Sequence, residues 1–335
     1  MNPAHLLVTF LLALTSLVSL SVAQLSTVYT TVVATKLFVV GAANPMTGLF
    51  FQQTSGDTTW RHSGPTTVRA FHAAVFRPSR GRIMYLAAGN GVHKTTDRGE
   101  SWKITTDWKI TEVLWVEPDQ HDSNVVFIAT PYGIYRTADG CATWHQMNRG
   151  LNGTIMTFVV CDRFDAKKLY SGGEDGGYVS ADRGETWTRL PLSVPGVRTI
   201  VQHPKDPSVL LAGTEDHGIY VSRNGGRTWT RSEAGVDHNT FYCFAFDMTN
   251  PDIVYAGGYV TGVYKSLDGA RTWKRVNKGL TVLNIHSLAV DPAKSSRVYA
   301  AAYWGGIFKT EDGGESWANI GFHESQTWTV FVESN

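Results

Sequence analysis

The sequence predicts an all-β chain folded as a seven-bladed β-propeller, closed by a C-terminal strand that joins the N-terminal blade. Three observations predict it. A turn pattern ending in tryptophan recurs six times, with a worn seventh copy. The repeat period stays in the low forties, the length of one four-stranded blade. Short β-branched and aromatic runs fill each period, and helical periodicity is nearly absent beyond the N-terminus.

The copies read Thr95-x-Asp97-x-Gly99-x-Ser101-Trp102, Thr137-x-Asp139-x-Cys141-x-Thr143-Trp144 and Ser180-x-Asp182-x-Gly184-x-Thr186-Trp187. They continue as Ser222-x-Asn224-x-Gly226-x-Thr228-Trp229, Ser266-x-Asp268-x-Ala270-x-Thr272-Trp273 and Thr310-x-Asp312-x-Gly314-x-Ser316-Trp317. The worn copy ends in Thr59-Trp60, with Ser55 where the acid should stand. From Trp60 onward the tryptophans fall 42, 42, 43, 42, 44 and 44 residues apart. Asp and hydroxyl side chains bond nearby backbone and close a tight turn, and Gly accepts the positive φ it needs. The Trp then buries a large ring between sheets. This pattern is similar to the Asp-box, or BNR repeat, of sialidases, xyloglucanases, the sortilin ectodomain and photosystem assembly factors. The resemblance implies that the box is a fold element, so none of its Asp or Trp residues is catalytic.

Each period carries four strands. In the sixth unit Phe241–Asp247 reads as the inner strand, followed by Ile253–Gly257, Gly262–Ser266, the box turn and Thr272–Val276. After the last box, Gln326–Glu333 reads as an inner strand with no blade of its own. The first unit begins at Lys36–Val40 and lacks one, so the C-terminal strand completes it and leaves no major free edge.

The 335 residues therefore form one ring rather than two domains. Residues 1–23 read as a signal peptide, with an apolar Leu6–Val22 and Ser21-Val22-Ala23 before Gln24; an uncleaved anchor is the alternative. Residues 24–335 form the propeller, destined for the secretory pathway or the exterior, with no membrane association once the signal is cleaved. Asn152-Gly153-Thr154 is the single glycosylation sequon and lies between blades. Three cysteines make no disulfide framework; Cys161 and Cys243 read as core residues, and a Cys141–Cys161 bridge between adjacent blades is conceivable. A net charge of +1 with no basic stripe argues against nucleic acid. No HExxH, paired CxxC, GxSxG elbow or phosphate loop occurs, and no cofactor or metal is expected.

In a propeller the box turns lie on one face, so ligand-binding loops belong on the other. Aligning the inner strands on their terminal Asp-like position places His72, Glu112, Thr157, Arg198, Tyr242, His286 and Trp328, one per blade, at the site-facing end. A packing position should repeat small or aliphatic residues, and this one does not. A water-filled polar channel is the structural alternative. The loops above add Tyr132, Glu174, Asp175, Glu215, Asp216, His217, Tyr259, Tyr303 and Trp304. Together they describe a cup, aromatic from the sixth and seventh blades and acidic from the fourth and fifth. Trp108 and Trp115 are weaker candidates, and strand packing explains Trp115.

Three functions fit. A glycosidase or polysaccharide lyase needs two carboxylates across the scissile bond, roughly 5–10 Å apart, for which Glu112 with Asp216, or Glu174 with Glu215, can be nominated. Sialidase-like enzymes use three arginines, and Arg198 is the one arginine in the ring; xyloglucanase-like enzymes use two propellers. A non-catalytic binding or assembly module, lectin-like glycan binding included, uses the same aromatic cup. The chain also looks like small fungal propellers that act as hetero-Diels–Alderases in tropolone–sesquiterpenoid biosynthesis, on size, signal, a box-rich propeller and a His-bearing aromatic cup. That resemblance, the first reading of function here, implies a cofactor-free [4+2] addition of a tropolone quinone methide to a humulene-type terpene. Tyr259, Tyr303, Trp304 and Trp328 would then stack on the apolar partner, while His72, Arg198, Tyr242 or His286 donates to the oxygen.

Overall fold

The computed structural model describes residues 26–36, 46–54 and 58–334. They form seven four-stranded antiparallel sheets. In the sixth blade the strands are Phe241–Phe246, Val254–Gly258, Gly262–Ser266 and Lys274–Arg275, from the hub outward. The outer strand has two residues in six blades and four, Ala318–Gly321, in the seventh.

The first blade is built from both ends of the chain, in the order Ser325–Ser334, Ser26–Thr35, Gly48–Gln53 and Arg61–His62. Closure by the C-terminal strand is as the sequence predicts, but the blade starts earlier. Its second strand is Ser26–Thr35, not Lys36–Val40; Lys36 sits in the turn that follows, and the rest of that segment lies outside the described residues. The reason is pairing: this Thr- and Val-rich strand has neighbours on both sides, from Thr27↔Gln53 to Val32↔Gly48 and from Ser26↔Ser334 to Thr35↔Ser325. Residues 1–23, read as a signal, also lie outside the described residues.

The box turns show why their residue types recur. Thr95 Oγ1 donates to Asp97 Oδ1 at 2.6 Å and accepts the Gly99 N–H at 2.9 Å, and the Ser101 N–H donates to the same carboxylate at 3.0 Å. The indole N–H of several box tryptophans reaches the neighbouring blade. Trp187 bonds Met147 O and Trp317 bonds Val276 O, both at 2.8 Å, each tying its blade to the one before. Trp60 of the worn copy bonds Ile320 O at 2.9 Å, tying the first blade to the seventh. The worn box has lost its turn residues and kept its clamp.

These bonds hold Asp97 near a pKa of about 2, chiefly through the Ser101 hydroxyl and then Thr95. A depressed carboxylate stabilises the fold above its unfolded value near 4, and that contribution is lost as pH falls through about 2. Asn224 makes the equivalent bond to the Thr228 N–H at 2.9 Å without a charge. Asp97→Asn is therefore expected to keep the turn, leave neutral-pH stability nearly unchanged and flatten the acid limb of a melting-temperature profile. An unchanged acid limb would count against this account.

Candidate functional site

The inner strands share one irregularity near their N-terminal ends. In the second blade Ala70 pairs with Ala88 and His72 with Ala87, so Phe71 is looped out as a bulge. The same shift isolates Thr157, Arg198, Tyr242 and His286. In the closing strand Val32 faces Thr327 and Thr30 faces Val330, which loops out Trp328 with Thr329. In the third blade the Leu114 N–H reaches Ala129 O at 2.9 Å although Trp115 is the paired residue. Bulges re-aim side chains at the ends of sheets, and here they build a hub ring of seven half-buried residues.

Five of its members are those expected from sequence; two are not. His72 is buried, stacks on Trp115 with centroids 3.6 Å apart and accepts the Val116 N–H on Nδ1 at 3.4 Å. Burial pushes its pKa down to about 3, so it is a neutral core histidine. Phe71 takes its place. Glu112 is exposed in the connection between blades, at φ 52°, with its N–H on Gly89 O; Leu114 takes its place. Both slips have one cause. The inner strands are Ala70–Val75 and Trp115–Pro118; the residues after them, Phe76 and Asp119, bond Ile83 O and Val125 O through their N–H groups, whereas the sequence reading puts that position at Arg77 and Glu117. The available signal was the residue before the bulge, fully buried in every blade, as Val113, Met156, Phe241 and Ile285 show.

Around this ring the aromatic residues form one connected belt. His286 stacks on Tyr303 at 5.1 Å, meets Trp328 edge-on at 4.7 Å and lies 5.1 Å from Tyr242. Trp328 also meets Tyr303 at 5.9 Å and Phe71 at 5.7 Å. Tyr303 carries Trp304, which is 37% exposed and held at φ 62°. Burial raises the Tyr242 hydroxyl, with Glu215 adding to the rise, Arg198 opposing it and Tyr259 contributing from its exposed loop. Burial pushes His286 down to about 4, so its ring is neutral at physiological pH.

The acidic side is partly neutralised. Arg198 Nε donates to Glu215 Oε2 at 2.7 Å, and its terminal nitrogen forms an ion pair with the same oxygen. Gly196 links two loops: its N–H bonds Glu174 O at 2.9 Å and its carbonyl accepts the Glu215 N–H at 2.8 Å. Glu174 and Glu215 are thus brought to adjacent loops. Glu112 and Asp216 are not, since Asp216 accepts the Thr240 hydroxyl at 3.0 Å and lies two blades on from Glu112. His217 holds the Glu215 carbonyl through Nδ1 at 2.7 Å, a turn-stabilising role. Tyr132 stands exposed on the third blade outside the belt, and Asp175 accepts the Tyr178 hydroxyl. Trp108, also exposed, has Lys109 over its ring at 5.8 Å. Asn152 is exposed, with its N–H on Tyr178 Oη at 3.1 Å. Cys141, Cys161 and Cys243 are free thiols. Among the described residues no three His, Cys, Asp or Glu side chains converge to hold a metal, and no helix is long and apolar enough to cross a membrane.

Below the ring, Glu117 accepts the Cys161 N–H at 3.3 Å, and burial raises its pKa to about 7 against the pull of Arg77 and Arg163. A raised carboxyl favours the fold below its unfolded value near 4.5, and the contribution is lost as pH rises through about 7. Glu117→Gln is expected to raise the melting temperature at pH 8 relative to the parent and to change it little at pH 4. Equal effects at both values would refute this.

Residues 132–257 match the family model Sortilin-Vps10 (sortilin, neurotensin receptor 3). No curated protein matches the chain. Among solved structures, the GH74 enzyme of Niastella koreensis is 19% identical at a TM-score of 0.63, over 78% of this chain and 46% of its own. An ancestral GH74 enzyme is 20% identical at 0.62, over 79% and 38%. YCF48 bound to a D1 peptide is 18% identical at 0.58, over 76% and 83%. The chain spans less than half the length of the two GH74 enzymes, and at these identities the likeness establishes the fold. The resemblance to hetero-Diels–Alderases finds no support in these matches. What the matches share with the repeated box turns and the closed ring is architecture: this chain is a seven-bladed Asp-box β-propeller.

Proposed function

We propose that the chain is a secreted or extracellular carbohydrate-active propeller whose hub binds a glycan. The observation that carries this reading is the belt of Tyr242, His286, Tyr303, Trp304, Trp328 and Phe71 around one end of the hub. Flat, half-buried rings offer apolar faces to the C–H faces of sugar rings, and the Arg198–Glu215 pair beside them offers donors and acceptors for hydroxyls. Extracellular glycans also fit the GH74 likeness.

Binding to a panel of soluble polysaccharides, followed by titration calorimetry with oligosaccharides from any hit, tests the reading. Binding that depends on the belt supports it. Failure of the folded protein to bind any member rejects it. Adduct formation from a tropolone quinone-methide precursor and humulene, above the spontaneous background, would replace it with the cycloaddition reading.

Hydrolysis is the second reading, favoured by the placement of Glu174 and Glu215 on adjacent loops. Glu215, ion-paired with Arg198, would serve as the base or nucleophile, and Glu174 would take the acid role. Reducing sugars released by the parent protein, and lost in both Glu174→Gln and Glu215→Gln, would establish it. Binding without release limits the hub to recognition.

A further inference from the structure

On the box face, away from the belt, the loop after the inner strand of the second blade reads Arg77-Pro78-Ser79-Arg80-Gly81-Arg82 and contains no acid. In the third, fourth and sixth blades the residue closing this strand is Asp119, Asp162 or Asp247; here Phe76 makes the corresponding N–H bond. Opposite the loop, the box turn of the same blade places Arg98, whose N–H bonds Arg82 O at 3.1 Å. Arg80, Arg82 and Arg98, with Ser79 and Thr96, line a cavity of about 510 Å³. The concavity is open to solvent on one side.

The repeat supplies an internal comparison. Arg183 occupies the position of Arg98 in the fourth blade, with φ 62° against 63°. Its guanidinium is satisfied by Asp119 at 3.1 Å and by Ala166 O at 3.3 Å. Among the described residues, no ion pair engages Arg80, Arg82 or Arg98. Arg80 and Arg98 also hold a left-handed backbone, at φ 53° and 63°. Four other boxes give that conformation to Gly140, Gly225, Gly269 and Gly313. The conformation is thus a requirement of the box turn, and Arg98 accepts it where glycine is the usual occupant.

We propose that this cavity binds a ligand carrying two or more sulfate or phosphate groups. Exposed guanidinium groups that no carboxylate pairs present N–H donors around one concavity, and a tetrahedral oxyanion accepts such donors in pairs. The site is separate from the hub belt and does not depend on the glycan reading.

Titration calorimetry of the full chain with sucrose octasulfate, and separately with inositol hexakisphosphate, tests it. At least one probe is expected to bind, weakening steeply as salt rises from about 50 to 200 mM. Arg98→Gly, which installs the residue the other boxes use, and Arg80→Gln should each weaken binding about tenfold with unchanged melting. Arg183→Gln, at the paired counterpart, should leave binding within about twofold of the parent. Preference for the sulfated probe identifies sulfated sugars as the source, and preference for the other identifies phosphate esters. Binding of neither probe by folded protein, or binding that Arg98→Gly leaves intact, overturns the proposal.

Discussion

Removal of Ser325–Ser334 is expected to abolish cooperative folding. This strand supplies the inner edge of the first blade and runs beside Ser26–Thr35 over its whole length. It also carries bonds that fasten neighbouring elements: Thr329 Oγ1 donates to Phe71 O at 3.0 Å in the second blade, and Thr327 Oγ1 to Ala302 O at 2.9 Å in the seventh. Without it the ring opens. The cluster of Val28, Val32, Phe50, Tyr299, Ile307 and Val330 between the first and seventh blades then meets water. At about 1.5–3 kcal/mol for each large apolar side chain, that exposure rivals the roughly 5–15 kcal/mol that holds a typical domain folded. Within the full chain, Val330→Asp should do the same by placing a carboxylate at a site 2% exposed. Circular dichroism melts and limited proteolysis would check both. A cooperative transition within a few degrees of the parent in either variant would show that closure does not depend on this strand.

The second large effect concerns the belt. Trp328→Ala removes the ring that contacts Phe71, His286 and Tyr303 together, and Tyr303→Ala removes its stacked neighbour. Each should weaken glycan binding about 10–100-fold, since an aromatic side chain buried on a ligand contributes about 1.5–3 kcal/mol and each 1.4 kcal/mol is tenfold. The double variant should fall short of the product, because the two rings share contacts. Tyr132→Ala, outside the belt, should bind within about twofold of the parent. Affinity should be flat from pH 5 to 8, because His286, held down to about 4 by burial, stays neutral there. Stability behaves differently. The unfolded chain takes up that proton first, near 6.5, so the histidine's contribution to the fold falls as pH drops from about 6.5 to about 4. Unaltered affinity in both Trp328→Ala and Tyr303→Ala would remove the belt as the binding surface.

Legibility from sequence follows the range of the interaction concerned. The boxes were readable because their bonds span four residues, from Thr95 to Gly99 and from Asp97 to Ser101, and such local chemistry survives in the order of residues. Closure was readable because a strand without a blade at one end matched a blade without a strand at the other. Where the first blade began was not, because Ser26–Thr35 becomes a central strand only through partners from opposite ends of the chain. In the hub the ring position could be read where a strand ends on Asp162, Asp247 or Asp291. It slipped at Phe76, where that marker is absent, and at Glu117, which lies just before Asp119.

By itself the sequence determined the all-β class, the count of seven blades and the turn chemistry that punctuates them, because a repeated local pattern can be matched only by a repeated local structure. Tertiary structure alone decided that His72 is a core residue and Phe71 a hub residue. It also decided that Tyr242, His286, Tyr303 and Trp328 touch, and that Arg98 lacks the partner Arg183 has. A bulge shifts side chains by a single residue, and contacts between blades join positions more than forty residues apart. Those outcomes depend on how whole sheets pack, which no short window of sequence contains.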